Sequence, residues 1–298
     1  MTEQNWRQLA LDYALHPVDL SGADLSNASL FSVNLTHANL EYAKLSNARL
    51  AGANLSFANL HRSNLRYAGL FMAQCIRTNF SGASLESAFL EDANLSESVF
   101  RNATLQSARM SRANLSYTFM TKANMNGAKL TSANLYAARL ESAVLDCASL
   151  FEATLDNAWL VRAQMVSGHL SQASLRFANL TSAIIDGSRM VNADLEGTVL
   201  CGASLKNVKL RGANLRNADF SETNVSGADF SGANIFGANF EGSNITESQR
   251  SSADSLSPSW INLGASAETL MEQEFSLPKK ADFGTTVQQF EQNPEDEW

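Results

Sequence analysis

From Leu20 to Ile245 every residue whose number is divisible by five is large and apolar, giving 46 successive pentads with no insertion or deletion. Leucine fills 31 of these positions, and Phe, Met, Ile, Val and Cys75 fill the others. Alanine stands two residues earlier in 34 of the 46, so the pattern is a pair, small then large. A repeat of this regularity constrains the fold before any local propensity does. Its period matches neither an α-helix nor a flat strand.

In one pentad, Ala53-Asn54-Leu55-Ser56-Phe57, alanine and leucine are two residues apart. In extended backbone they point to the same side, and the asparagine between them points to the other. The last two positions are rich in turn formers, as in Ser21-Gly22, Ser226-Gly227 and Ser231-Gly232. A corner there resets the side-chain parity, so the next pentad again aims its pair inward. The chain then winds round a narrow axis and stacks on itself. Three extended residues per side span only about 10 Å, which leaves little room beside each leucine and explains alanine as its usual partner.

The pattern Ala-(Asp/Asn)-Leu-x-x, read as ADLSN at 23–27, ANLSF at 53–57 and ADFSG at 228–232, resembles the pentapeptide-repeat family. The resemblance implies an all-β fold, a right-handed quadrilateral parallel β-helix (solenoid) with four pentads per coil. The stretch then makes about eleven coils, roughly 55 Å long at the usual strand spacing. One coil buries too little surface to fold alone, so the stack is cooperative and its ends need covering. Residues 1–17 meet that need at one end. Trp6, Leu9, Ala10 and Tyr13 recur at helical spacing and Pro17 stops the helix, which predicts a short N-terminal capping helix. The repeat body is assigned to 18–250. Residues 251–298 form a non-repeat acidic C-terminal tail, in which 266–275 carries the pattern of one short helix with Ser266 as N-cap.

The formal net charge of −8 is not spread over the repeats. Val18 to Ile245 holds 18 acidic and 18 basic residues, whereas 246–298 sets ten acids against Arg250, Lys279 and Lys280. No apolar run reaches the length of a membrane helix. The first residues lack the basic-then-apolar order of a signal peptide. Cys75, Cys147 and Cys201 are far apart and odd in number, which fits neither a disulfide framework nor a zinc site. The expectation is a cytoplasmic protein without metal or cofactor.

Catalysis needs polar groups converging in a cleft. A rod with a sealed core offers none, and its inward positions hold no acid or base. The reading is therefore not an enzyme but a non-enzymatic protein-binding scaffold. With four pentads per coil, residues twenty positions apart share a face. One outward column reads Asn79, Val99, Phe119, Arg139, Trp159, Asn179, Val199, with Val161 beside Trp159. Val99, Phe119, Trp159, Val161 and Val199 are the candidate protein contact, because apolar groups replace the usual Asn or Asp there. Phe57, Ile76, Tyr117, Tyr136, Phe177 and Phe236 fall near the corners of a second face. Arg49, Arg109, Arg112, Lys129, Arg189, Lys209 and Arg211 fall on a third. Asn134, pointing outward, is expected to tolerate a carboxylate that Leu135 does not.

Two other roles come into view. The resemblance implies a DNA-mimicking protector of DNA gyrase and topoisomerase IV against quinolones or toxins, in which dimeric acidic rods imitate the duplex. A duplex carries one negative charge per about 1.7 Å, and this repeat body is electrically balanced, so the mimic ranks second. Direct nucleic-acid binding is not expected, since Glu91, Asp92 and Glu152 interrupt the basic stripe. A secreted effector or targeting protein that presents its tail to a partner ranks third. A homodimer is compatible with each reading.

Overall fold

A computed structural model describes residues 18–253. The outward residue of each pentad pairs in parallel with the residue 20 further on, from Asp19 with Asn39 to Asp219 with Asn239. Four pentads therefore complete one coil, and the result is a parallel β-helix with four faces. We call them, in chain order, the Asp19, Asp24, Ser29 and Asn34 faces. Each rung is a short bridge rather than a long strand, because the chain turns again after three extended residues.

The pentad 59–63 shows how the backbone is satisfied. Asn59 N–H donates to Ala38 O in the preceding coil (2.9 Å), and Leu60 N–H to Asn79 O in the next (2.7 Å). His61 N–H donates to the Asn59 side chain, Oδ1, at 3.1 Å. Arg62 N–H reaches Ser81 O (2.9 Å), and Ser63 N–H closes the corner on Leu60 O (3.1 Å). All five amides have partners, as a buried backbone requires. The outward Asn or Asp thus accepts the one corner amide that no backbone carbonyl serves. The second corner residue has φ between +51° and +70° at every corner from Gly22 to Gly242, and most of these residues are not glycine. That conformation costs about 1–2 kcal/mol in an L-residue, and the corner hydrogen bonds offset it.

With Oδ1 engaged by its own corner, each outward asparagine has its Nδ2 free to donate to the coil before. Asn39 donates to Asp19 (3.0 Å), Asn59 to Asn39 (3.4 Å) and Asn79 to Asn59 (3.1 Å). On the Asn34 face, Asn94 donates to Gln74, Asn114 to Asn94 and Asn134 to Asn114, at 3.2–3.3 Å. The ladders run in one direction. An aspartate has no donor, so it begins a ladder but does not continue one, as at Asp19, Asp194 and Asp219. Where the outward residue is Gln164, Ser174 or Ser204, an aspartate on the previous coil takes over the corner. Asp146, Asp156 and Asp186 accept from the N–H of Val166 (2.8 Å), Arg176 (3.0 Å) and Lys206 (2.9 Å).

The axis is dry. The large inward side chains from Leu40 to Phe230 are fully buried, with Phe80 stacked on Phe100 at 4.8 Å. A hydroxyl at the small inward position always finds a carbonyl among the buried cases. Ser63 donates to Leu60 O, Thr78 to Leu55 O and Thr198 to Leu175 O, each at 2.7 Å. Cys75 fills an inward position, and burial pushes its thiol pKa far up, so it remains a neutral packing group. Cys147 and Cys201 lie on corners, exposed and half-buried.

At the C-terminal end the chain leaves the pentad pattern before residue 250. A helix, α1, Glu247–Ser252, starts on a capping box formed by Thr246 and Gln249. Gln249 Nε2 donates to Val225 O (2.9 Å) and Ala228 O (3.0 Å). Asn244 Oδ1 accepts from Val225 N–H (2.7 Å) and Ser252 O from Gly232 N–H (3.0 Å). These groups take the places that another coil's backbone would fill, while Arg250 lies 5.1 Å from the Phe240 ring. The helices expected within 1–17 and at 266–275 lie outside the described residues.

Two outcomes follow from this geometry. Leu135→Asp puts an unpaired carboxylate against the dry axis and is expected to cost more than about 4 kcal/mol. Asn134→Asp keeps the acceptor for Tyr136 N–H but removes the donor to Asn114. Its expected cost is about 1 kcal/mol, more than the outward position alone suggests. Circular dichroism melts compare the two, and equal melting temperatures would refute the inward and outward assignment.

The second outcome concerns acid. The Ser21 N–H and hydroxyl hold Asp19 below the usual carboxylate range. The Ser26 hydroxyl and N–H do the same for Asp24, and those of Ser231 for Asp229. A folded-state pKa depressed in this way stabilises the fold above the unfolded value, about 4, and the contribution is lost as pH falls through the folded one. Asparagine does not titrate. Between about pH 6 and about pH 3, amide protection should therefore fall at Ser21, Ser26 and Ser231 and hold at Ser116 and Tyr136. Hydrogen exchange corrected for intrinsic rates reads this directly, and a uniform loss would place the acid effect elsewhere.

Candidate protein-contact face

The Asp19 face begins as an asparagine ladder and then changes character. After Asn79 its rungs are Val99, Phe119, Arg139 and Trp159, followed by Asn179, Val199, Asp219 and Asn239. None of Val, Phe, Arg or Trp can accept the corner amide or continue the ladder. Four successive coils on this face therefore lack two interactions that recur elsewhere on the rod. The Trp159 side chain is exposed (50%), and Val99, Phe119, Val161 and Val199 are half-buried.

The candidate residues are not one continuous apolar stripe. Val99 and Phe119 adjoin, Arg139 stands between Phe119 and Trp159, and Asn179 stands between Trp159 and Val199. Val161 lies on the corner that leads from Trp159 to the Asp24 face. Both aromatics carry a cation. The Arg139 guanidinium lies 5.7 Å from the Trp159 ring and that of Arg101 lies 5.8 Å from the Phe119 ring. Arg139 Nε donates to Glu141 Oε1 at 2.9 Å, which fixes the guanidinium in place. The face combines aromatic, aliphatic and guanidinium groups on rungs of fixed spacing.

The corner between the Asn34 and Asp19 faces adds aromatics that belong with this surface. Tyr117 and Tyr136 meet edge to face at 5.5 Å, and Phe177 is exposed (57%) beside Arg176. Gly197, one coil on, has φ +65°, and a Cβ there would fall 2.6 Å from the Phe177 ring. The glycine leaves room for that ring to lie over the next corner. Spacing along the chain assigns these residues to the corners of a separate face. The signal that joins them is their place two or three residues before the rung: Tyr117 before Phe119, Tyr136 before Arg139 and Phe177 before Asn179.

The basic stripe is less free than its sequence suggests. Arg109 Nε lies 2.6 Å from Glu91 Oε1, and Arg112 holds Asp92 through two hydrogen bonds of 2.8 and 2.6 Å. The Arg112 guanidinium keeps the Asp92 carboxyl below its ordinary pKa. Among the described residues no helix is long and apolar enough to cross a membrane, and no three His, Cys, Asp or Glu side chains gather as a metal site.

A square parallel β-helix with a sealed axis defines a solenoid of very short repeats, and its accessible chemistry lies on faces rather than in clefts. The chain belongs to the pentapeptide repeat family. The family model matches in 8 copies, over 17–41, 28–66, 73–112, 108–146, 148–197, 185–217 and 213–249. Members fold as right-handed quadrilateral β-helices. Among solved structures the chain is similar to HetL, a pentapeptide repeat protein involved in heterocyst differentiation regulation from the cyanobacterium Nostoc sp. strain PCC 7120. The identity is 28%, over 80% of this chain and 96% of that one, with a TM-score of 0.42. It is also similar to full-length QnrB1, a plasmid-mediated fluoroquinolone resistance protein, at 17% identity over 78% and 94% of the two chains, with a TM-score of 0.28. No curated protein matches it.

Replacing the two aromatics by the residue typical of their position tests whether they serve the fold. Phe119→Asn and Trp159→Asn supply a corner acceptor and remove surface aromatics. Each is expected to change stability by less than about 1 kcal/mol. Thermal melts read this, and a loss above about 3 kcal/mol would make the aromatics part of the structural core.

Proposed function

We propose that this protein is a non-enzymatic scaffold, a rod of about eleven coils that holds a protein partner on the Asp19 face and its adjoining corner. The observation that carries the reading is that the asparagine ladder of this face stops at Asn79 and an exposed tryptophan, with a guanidinium over its ring, stands further along the same column. A local rule broken without benefit to the fold marks a functional surface. Trp, Tyr and Arg are the residues that dominate binding energy at interfaces. Here Trp159 and Arg139 stand on a rigid sheet face and Tyr117 and Tyr136 on the corner beside it, so little ordering is needed on binding. A cytoplasmic location belongs to the same proposal. Protection of a topoisomerase by imitation of DNA finds no support in the charge of the repeat body, which is balanced.

A photo-crosslinking residue at position 159 tests the proposal against the same residue at position 114, on the asparagine ladder of the Asn34 face. The expected result is one discrete crosslinked species from position 159 and none from 114. A second copy of this chain in that species would make the partner a homodimer. Equal crosslinking from both positions would remove the Asp19 face as a specific surface. A gyrase supercoiling assay addresses the second role, and the expected result is no inhibition.

A further inference from the structure

Where the Asp24 face turns into the Ser29 face there is an open cleft of about 570 Å³, lined by Asn27, Asn47, Arg49, Tyr67, Gly69 and Phe89. Gly69 is the residue of this lining without a side chain. It is the single glycine among the outward positions of the pentads. The backbone does not ask for it. Gly69 is not in the left-handed region, and a Cβ there would meet only Ala48 O and the Phe71 ring, both at 4.0 Å, an ordinary contact. Glycine in extended chain costs backbone entropy relative to alanine, and no steric relief compensates for it here. What it produces is a notch one rung deep, between Arg49 on one side and Phe89 on the other.

The walls of the notch are aromatic and the rim is cationic. Tyr67 is exposed, with the Arg66 guanidinium 6.0 Å from its ring. Phe89 stacks on Phe71 at 5.7 Å, with Arg109 5.3 Å from its ring. Arg66 is paired with Glu86 and Arg109 with Glu91. Arg49 has no carboxylate within ion-pair distance among the described residues, and neither has Lys129 further along the same face. A guanidinium beside an apolar slot matches a carboxylate next to a bulky side chain. A polyphosphate strand fits less well, because it offers no bulky apolar group to the aromatic walls of the notch.

We propose that this cleft binds an extended acidic segment of a partner protein, with a bulky apolar side chain in the Gly69 notch and a carboxylate on Arg49. The site lies on the face opposite the Asp19 face and shares no residue with it, so either reading can fail while the other stands. The probe is a fluorescently labelled peptide, Glu-Glu-Phe-Glu-Glu, followed by anisotropy on the full chain. Saturable binding is expected. Gly69→Gln, which fills the notch, and Arg49→Ala should each weaken it by about tenfold or more, and Trp159→Asn should leave it within about twofold. Melting temperatures of both cleft variants should match the wild type. Glu-Glu-Ala-Glu-Glu binding as tightly as the phenylalanine peptide would reduce the effect to net charge and overturn the proposal. Undiminished binding to both variants, tight binding of Lys-Lys-Phe-Lys-Lys, or no binding to the wild type at about millimolar peptide would also overturn it.

Discussion

The stacking of each coil on the next at a fixed register of 20 residues is the constraint on which the rest depends. Parallel backbone bonds alone do not choose that register. A slip of one residue would turn every inward leucine outward and expose the axis. The apolar pair in each pentad therefore selects the register, and the hydrogen bonds of the rungs hold it. Neither suffices separately. The axis is too narrow for one coil to bury enough surface, and the rungs are too short to pair without a core.

From that register the surface chemistry follows. Side chains twenty positions apart are forced into columns, so one outward substitution is always read against its neighbours above and below. An asparagine column is self-satisfying, since Oδ1 serves its own corner and Nδ2 serves the previous coil. This explains why an aspartate in such a column stands at the beginning of a ladder, as Asp19, Asp194 and Asp219 do. It also makes departures informative. Val99, Phe119, Arg139 and Trp159 interrupt a column that has already run from Asp19 to Asn79. Gly69 empties a rung that any small side chain could occupy. The core tolerates neither kind of freedom, so variation in function falls on the faces.

The ends obey a different rule. A rung without a neighbour has amides and carbonyls open to solvent, and the C-terminal end meets this with side chains. Gln249 and Asn244 imitate the missing coil, one donating to carbonyls and the other accepting from an amide. The six residues of α1 serve to place that carboxamide. A helix so short gains little from its own hydrogen bonds. It persists because its first turn is tied to the last coil.

Much of the fold was legible in the sequence because pentad periodicity is a direct record of which side chains face inward. Leu135 and Asn134 could be assigned opposite sides from spacing alone, and the columns followed once four pentads were taken per coil. What spacing could not supply was anything that depends on contact between coils. The ladder gives Asn134 a donor role that its outward position does not reveal. Arg139 and Arg101 sit over aromatic rings, a pairing that membership of the column does not reveal. Tyr117 and Phe177 join that surface because a corner and a rung of one pentad adjoin in space. The pairing of Glu91 with Arg109, which removes a cation from the basic stripe, needed the two side chains to meet across a coil. The sequence by itself determined the inward pattern, since burial acts on each pentad in the same way. Only the tertiary structure decided the faces, because their chemistry arises between residues that the chain keeps a full coil apart.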